Sequence, residues 1–221
     1  MKLMLNALTK FAAGLILLGL LLFAPAGTFH YPNAWLFLAL LFIPMFVLGI
    51  VLLWKSPALL EKRLNTKEKE ATQKGVVGLS ALMFVGGFVI AALDYRFGWT
   101  HVPSFIVGVA AVIQLGAYAM YAEVMRENVY LSRTVEVQKD QKIVDTGLYG
   151  IVRHPMYLAT ILLFLAMPVV LGSWIAFAVF LLYPAAIAVR IGNEEKVLEE
   201  GLEGYTEYKK KVRYRLIPFI W

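Results

Sequence analysis

Cysteine is absent from the 221 residues, which removes disulfides and thiolate metal sites from consideration. Charge is scarce as well: Asp, Glu, Lys and Arg make up 16% of the chain, against about a quarter in an ordinary soluble domain. His30 and His101 stand too far from other ligand types to form a metal centre. Transporters place ionisable groups in mid-membrane and show inverted repeats. Neither feature is present, since only Gln114 and Glu123 interrupt the apolar run they belong to.

What the chain does have is apolar sequence, at 60% hydrophobic residues and a mean hydropathy of +0.70. A helix needs roughly 20 consecutive apolar residues to cross the hydrocarbon. Residues 34–54 and 75–93 carry no charge, and 103–122 carry only Gln114 as a strongly polar residue. The run from Phe11 to Ala26 is extended by the largely apolar residues before it. Its ending, Ala24-Pro25-Ala26, imitates a secretory cleavage site, but the segment reads as a first spanning helix. The last block, 156–189, is interrupted at Gly172-Ser173 and predicts a helical hairpin.

The basic residues sort by loop. Residues 55–74 hold Lys55, Lys62, Arg63, Lys67, Lys69 and Lys74, and 126–156 hold Arg126, Arg133, Lys139, Lys142 and Arg153. The intervening loops hold only Arg96, and the Gly172-Ser173 turn holds none. This alternation satisfies the positive-inside rule with both termini in the cytoplasm. It accounts for the net charge of +6 without invoking nucleic acid. Trp35, Trp54, Tyr95 and Trp99 fall at span edges, as an interfacial belt requires. The expected architecture is all-α and polytopic: four transmembrane helices plus a C-terminal hairpin, five or six membrane segments in all. The division expected is residues 1–125 as the N-terminal helices and 126–221 as a core with a cytoplasmic site.

Two motifs carry chemistry. In "GLYGIVRHPMY", residues 147–157, the glycines allow a turn and Pro155 suits the first turn of a helix. Arg153 and His154 are either boundary anchors or half of a ligand site, and Tyr149 and Tyr157 beside them suit either role. In "RIGNEEKVLEEG", residues 190–201, Arg190 and Glu194 share a helix face and can pair, with Glu195 adjacent. Ionisable groups at the end of an apolar arm are costly and usually functional. Antiparallel arms would bring both motifs to one cytoplasmic edge, forming a pocket suited to a zwitterion or a sulfonium.

The remaining polar segments are less specific. The stripe Leu198, Leu202, Tyr205, Tyr208 and Val212 reads as an amphipathic helix on the bilayer, with a lid over the pocket as the other reading. Residues 55–74 read as a solvated interfacial helix. Asp94-Tyr95-Arg96 reads as a local ion pair at the far boundary. The stretch after Asn128, with Val135 and Val137 alternating, reads as a short extended segment beside the pocket.

The order "GLYGIVRHPMY", apolar hairpin, "EE" and "GYTEYKKKVRYRLIP" resembles the membrane methyltransferases typified by isoprenylcysteine carboxyl methyltransferase, which share this layout with phosphatidylethanolamine N-methyltransferase. The resemblance runs from near Asn128 onward and lies in the combination; the first four helices match only in being helices. It implies S-adenosylmethionine as cofactor, bound by Tyr149, Arg153, His154, Pro155, Tyr157, Glu194 and Glu195, together with Gly147 and Leu148 at the head of the same segment. Position 159 is alanine where the family often has glycine. Methyl transfer requires placement and exclusion of water more than a catalytic triad, and the sequence shows no triad. Arg190 and Glu194 are the candidates for handling the acceptor, Arg190 orienting an anion or Glu194 taking a proton from an amine.

Two other functions compete. An NADPH-dependent membrane reductase of the sterol-reductase type would need cations for a 2′-phosphate, which the Glu-Glu pair opposes. A non-enzymatic membrane scaffold would need no pocket. The partners expected are the bilayer and a lipophilic or small methyl acceptor, with neither nucleic acid nor metal.

Overall fold

The computed structural model describes residues 2–65, 71–132 and 137–221. Those residues form helices in the order α1 (Lys2–Ala26), α2 (Pro32–Lys55), α3 (Pro57–Leu64), α4 (Ala71–Phe97), α5 (Ser104–Glu127), a 3-10 turn (Gly147–Gly150), α6 (Pro155–Leu171), α7 (Trp174–Phe180), α8 (Leu182–Gly201) and α9 (Tyr205–Lys211). Among them are five helical stretches long and apolar enough to cross a membrane, with α7 and α8 together forming the fifth. α6, at 17 residues, is a shorter apolar helix. The protein is thus all-helical and polytopic, as its composition requires.

Helices in lipid gain little from the hydrophobic effect and associate through close packing, which favours small residues at the contact. α5 meets this condition. Its buried face carries Val107, Ala110, Gln114 and Ala117, spaced three and four apart, and Val124 two turns further on. α6 presents Ala159, Leu163, Ala166 and Val170, and the two helices share the most extensive contact in the fold. Ala159 is 1% exposed, and its small side chain suits the close approach of the two helices. Gln114 is fully buried, and neither of its amide atoms has a partner among the described residues. Outward-facing positions such as Leu82 and Val112, each at least 70% exposed, are left for hydrocarbon.

The expected hairpin forms, and local chemistry explains its turn. Gly172 has φ +88°, a left-handed conformation that closes α6, and Ser173 N–H returns to Pro168 O at 3.0 Å. Ser173 Oγ then accepts from Ala176 N–H at 3.0 Å as the cap of α7. The second arm is not one continuous helix. Pro184 lacks the N–H that would reach back to Phe180, and its ring crowds that carbonyl, so the helix is interrupted at Leu181.

Asp94 is not the exposed half of an ion pair. It is 1% exposed and accepts from Thr100 N–H at 2.7 Å, from the Thr100 hydroxyl, and from Ser173 Oγ. Tyr31 donates to Leu171 O at 2.7 Å beside it. The hairpin turn is therefore fastened to α2 and α4 at the end away from the two sequence motifs.

α4 approaches α7 through Gly87. A Cβ on Gly87 would collide with the ring of Phe180, which is fully buried and stacked edge-on against Phe84 and Phe88 at 5.3 and 5.6 Å. The ring has no free space to yield. Gly87→Ala is expected to destabilise the fold by about 1–3 kcal/mol, the usual cost of overpacking. Thermal unfolding in detergent measures it, and a midpoint equal to that of the parent protein would show that the rings can rearrange.

Candidate functional site

The two motifs converge. α6 begins at Pro155 and α8 ends at Gly201, so the antiparallel arms bring residues 153–157 beside residues 190–195. Arg153 Nε donates to Glu195 Oε1 at 2.8 Å, and His154 Nε2 lies 3.2 Å from the same oxygen. Arg215, in the segment after α9, donates to the other oxygen, Oε2, from Nε at 2.9 Å and from Nη2 at 2.8 Å. Glu195 is 2% exposed. One buried carboxylate thus ties together three separate stretches of chain.

The backbone reinforces the junction. Arg153 N–H donates to Tyr214 O and His154 N–H to Arg215 O, each at 2.9 Å. Arg153 Nη1 also donates to the carbonyls of Val212 and Arg213 at 2.8 Å. Arg153 and His154 are therefore neither headgroup anchors nor free ends; they hold residues 212–215 as a strap across the start of α6. The sequence reading did not foresee Arg215 as a partner, and its only signal was a basic residue inside an otherwise apolar tail.

A cavity opens beside this junction. Its walls come from Asn128 and residues 130–132, from residues 141–144 and Tyr149, from Arg153, His154, Met156 and Tyr157, from Arg190, Glu194, Leu198 and Leu202, and from Tyr205 and Tyr208 of α9. Arg190 Nε donates to the Tyr157 hydroxyl at 2.8 Å, and that hydroxyl donates to Glu194 Oε2. The tyrosine thus links the expected Arg190–Glu194 pair. Glu195 lies behind the wall, among its cations, whereas Glu194 faces the cavity.

The 147–150 segment is shaped by α5. Gly147 has φ +50°, and the space a Cβ would take there is filled by the Glu127 carboxylate. That carboxylate accepts Leu148 N–H at 3.1 Å. Gly147 and Leu148 therefore set the turn without lining the cavity. Tyr149 does line it, its hydroxyl accepting from Asn128 Nδ2 at 3.0 Å and its carbonyl from the Tyr208 hydroxyl at 2.8 Å. Pro155, fully buried, starts α6.

The stripe 198–212 does not lie on the bilayer. Tyr205, Tyr208 and Val212 form a buried cluster with Leu198, Leu202 and Ile143, and all of these but Val212 face the cavity. The apolar face closes the pocket. Gly204 at φ +83° makes the bend between α8 and α9, and Lys211 anchors α9 to Asp145 at 2.6 Å. Burial pushes the phenols of Tyr149, Tyr205 and Tyr208 well above their ordinary pKa, so all three remain neutral donors. The Tyr205 hydroxyl is buried with no hydrogen-bond partner among the described residues. Of the expected extended segment, Val135 lies outside the described residues; residues 137–146 are irregular, with Ile143 and Val144 on the cavity wall. No cluster of three metal-ligating side chains occurs among the described residues.

The Glu195 junction makes a stability prediction. Glu195→Ala would leave Arg153, His154 and Arg215 without their shared anion, and removing one partner of a buried ionic cluster costs about 3–5 kcal/mol. Arg215→Ala, at a half-buried position that leaves Arg153 and His154 on the carboxylate, should cost clearly less. Unfolding midpoints of the two variants in detergent check this order, and equal midpoints would contradict it.

Known proteins give the geometry a context. Residues 106–200 match the sequence pattern of the isoprenylcysteine carboxyl methyltransferase family. Over 91 residues, or 40% of the chain, the sequence is 29% identical to the Delta(14)-sterol reductase of Mus musculus; the matched stretch is 22% of that relative's length. The fold is similar to that of the eukaryotic intramembrane Ras methyltransferase isoprenylcysteine carboxyl methyltransferase, with a TM-score of 0.57 at 18% identity, covering 97% of this chain and 77% of that one. The matched residues contain both converging motifs and the helix that packs against α6. Over residues 106–200, and in its fold, the chain is isoprenylcysteine carboxyl methyltransferase-like.

Proposed function

We propose that the protein is a membrane methyltransferase that uses S-adenosylmethionine and methylates a lipophilic acceptor entering from the bilayer, with its termini and site on the cytoplasmic side. The observation that carries this reading is the convergence of the 153–157 and 190–195 segments on one cavity. The family match over 106–200 supports the reaction class, and the alternation of basic loops supports the orientation.

The residues present fit the cofactor. The Tyr205 hydroxyl is a buried donor on the cavity wall with no partner among the described residues, and such a group calls for a ligand. Glu194 would hold the cofactor's ammonium or ribose hydroxyls, and the neutral rings of Tyr149, Tyr157, Tyr205 and Tyr208 would face its cationic sulfur. Arg153, His154 and Glu195 would act mainly by fixing the wall these groups stand on, and Gly147, Leu148 and Pro155 by shaping it. When bound, S-adenosylmethionine supplies a methyl group that passes to the acceptor's lone pair while the broken bond's electrons stay on sulfur.

The chain then has two tasks. α9 and Leu198 and Leu202 exclude water from the reacting atoms. Arg190, held in place by the Tyr157 hydroxyl, orients an anionic acceptor; with an amine acceptor, Glu194 receives the proton released.

Titration of S-adenosylmethionine and of NADPH into the detergent-solubilised protein tests the reading. S-adenosylmethionine should bind and NADPH should not. Glu194→Ala should remove binding while the protein stays folded and monodisperse. Binding of NADPH alone would favour a reductase, and binding of neither would favour a scaffold.

A further inference from the structure

α3 has no part in the reading above, yet it is not a free interfacial helix. Leu59 and Leu60 are buried, and Leu59 packs with Val124, Met125, Leu131 and Tyr149. Tyr149 is a wall of the cavity, so α3 is seated directly behind the site. Two cations end the helix, Lys62 and Arg63. Cations suit a helix C-terminus, and solvent would satisfy that preference. Both instead turn inward and are half-buried.

Their partners are all neutral. Arg63 Nη1 donates to Ser132 O at 3.0 Å and lies 3.7 Å from Met156 Sδ, while Nη2 donates to the Tyr121 hydroxyl. Lys62 Nζ donates to Gln138 Oε1 and to Val129 O, and sits 5.9 Å from the Tyr130 ring centroid. Neither has a carboxylate partner among the described residues. Ser132 and Met156 are themselves cavity walls. Two partly desolvated cations with no carboxylate partner among the described residues therefore stand at the edge of the pocket. Such an arrangement is costly unless an anion completes it.

We propose that Lys62 and Arg63 form an anion subsite at the Ser132–Met156 wall, which recognises the charged head, carboxylate or phosphate, of an amphipathic acceptor. The guanidinium offers a planar, fork-shaped set of donors to such a head, and Tyr121 can add its hydroxyl. This rests on the methyltransferase reading for its purpose. Both cations come from a helix outside the matched residues 106–200, and they bear on acceptor choice through the Ser132 and Met156 wall of the same cavity.

The test uses the full chain in phosphatidylcholine nanodiscs and three probes with one alkyl tail: oleate, oleyl phosphate and oleyl alcohol. The two anions should bind about tenfold or more tightly than the alcohol, the scale of a charge-assisted hydrogen bond, and their order identifies the preferred head. Arg63→Gln should bring all three affinities together, and Arg63→Lys should keep most of the preference. A wild-type protein that binds anions and alcohol alike, or an Arg63→Gln variant that keeps the preference, overturns the subsite. Should Arg63→Gln fail to fold, the same ratio in Lys62→Gln decides, with an unchanged ratio counting against the proposal. S-adenosylmethionine titrated into the same samples reports separately: no cofactor binding in the wild type ends the methyltransferase reading, whereas the anion ratio is read without cofactor.

Discussion

The site depends on the Glu195 carboxylate. Its two oxygens are divided between Arg153 and His154 on one side and Arg215 on the other, inside a region that excludes water. In such surroundings each hydrogen bond is stronger than in solution, and each missing one is more costly. The cluster therefore permits very few arrangements of the three chain segments it joins. That restriction holds the cavity wall at one shape, with Glu194 and the tyrosines facing the space it encloses.

A second buried carboxylate does related work at the other end of the hairpin. Asp94 gathers Thr100 and Ser173 and so fixes where the turn sits against α4. Between these two polar fastenings the arms run through apolar surroundings, where helix contacts depend on small residues such as Ala110, Ala117, Ala159 and Ala166. Close packing sets the distance between α5 and α6, and the polar clusters at the ends set the register of the hairpin against α4 and against the 212–215 strap. A membrane protein has little other means of fixing register, because lipid and a leucine side chain are nearly equivalent neighbours.

The spans were readable because length and polarity alone decide them, and the hairpin because glycine before serine both turns the chain and caps the next helix. The meeting of 153–154 with 194–195 followed from that geometry. Other features were hidden for definable reasons. Asp94 next to Arg96 suggested a local pair, but its real partners include Ser173, far along the sequence, and proximity in sequence cannot show that. The stripe from Leu198 to Val212 announced an apolar face correctly; a sequence pattern does not say whether that face meets lipid or protein, and here it meets Ile143 and the cavity. Arg215 and Arg63 looked like ordinary surface cations, since a long flexible side chain carries no record of the direction it takes.

The strap formed by residues 212–215 has a consequence for how the protein comes into being. Synthesis runs from the N-terminus, so α6, α7 and α8 leave the ribosome before the carbonyls that receive Arg153 and the guanidinium that completes Glu195. The polar junction is therefore completed last, after both arms of the hairpin have been made. A chain that lacks residues 212–215 keeps the sequence of every span but leaves Glu195 Oε2 without its cation and Arg153 Nη1 without its carbonyl acceptors.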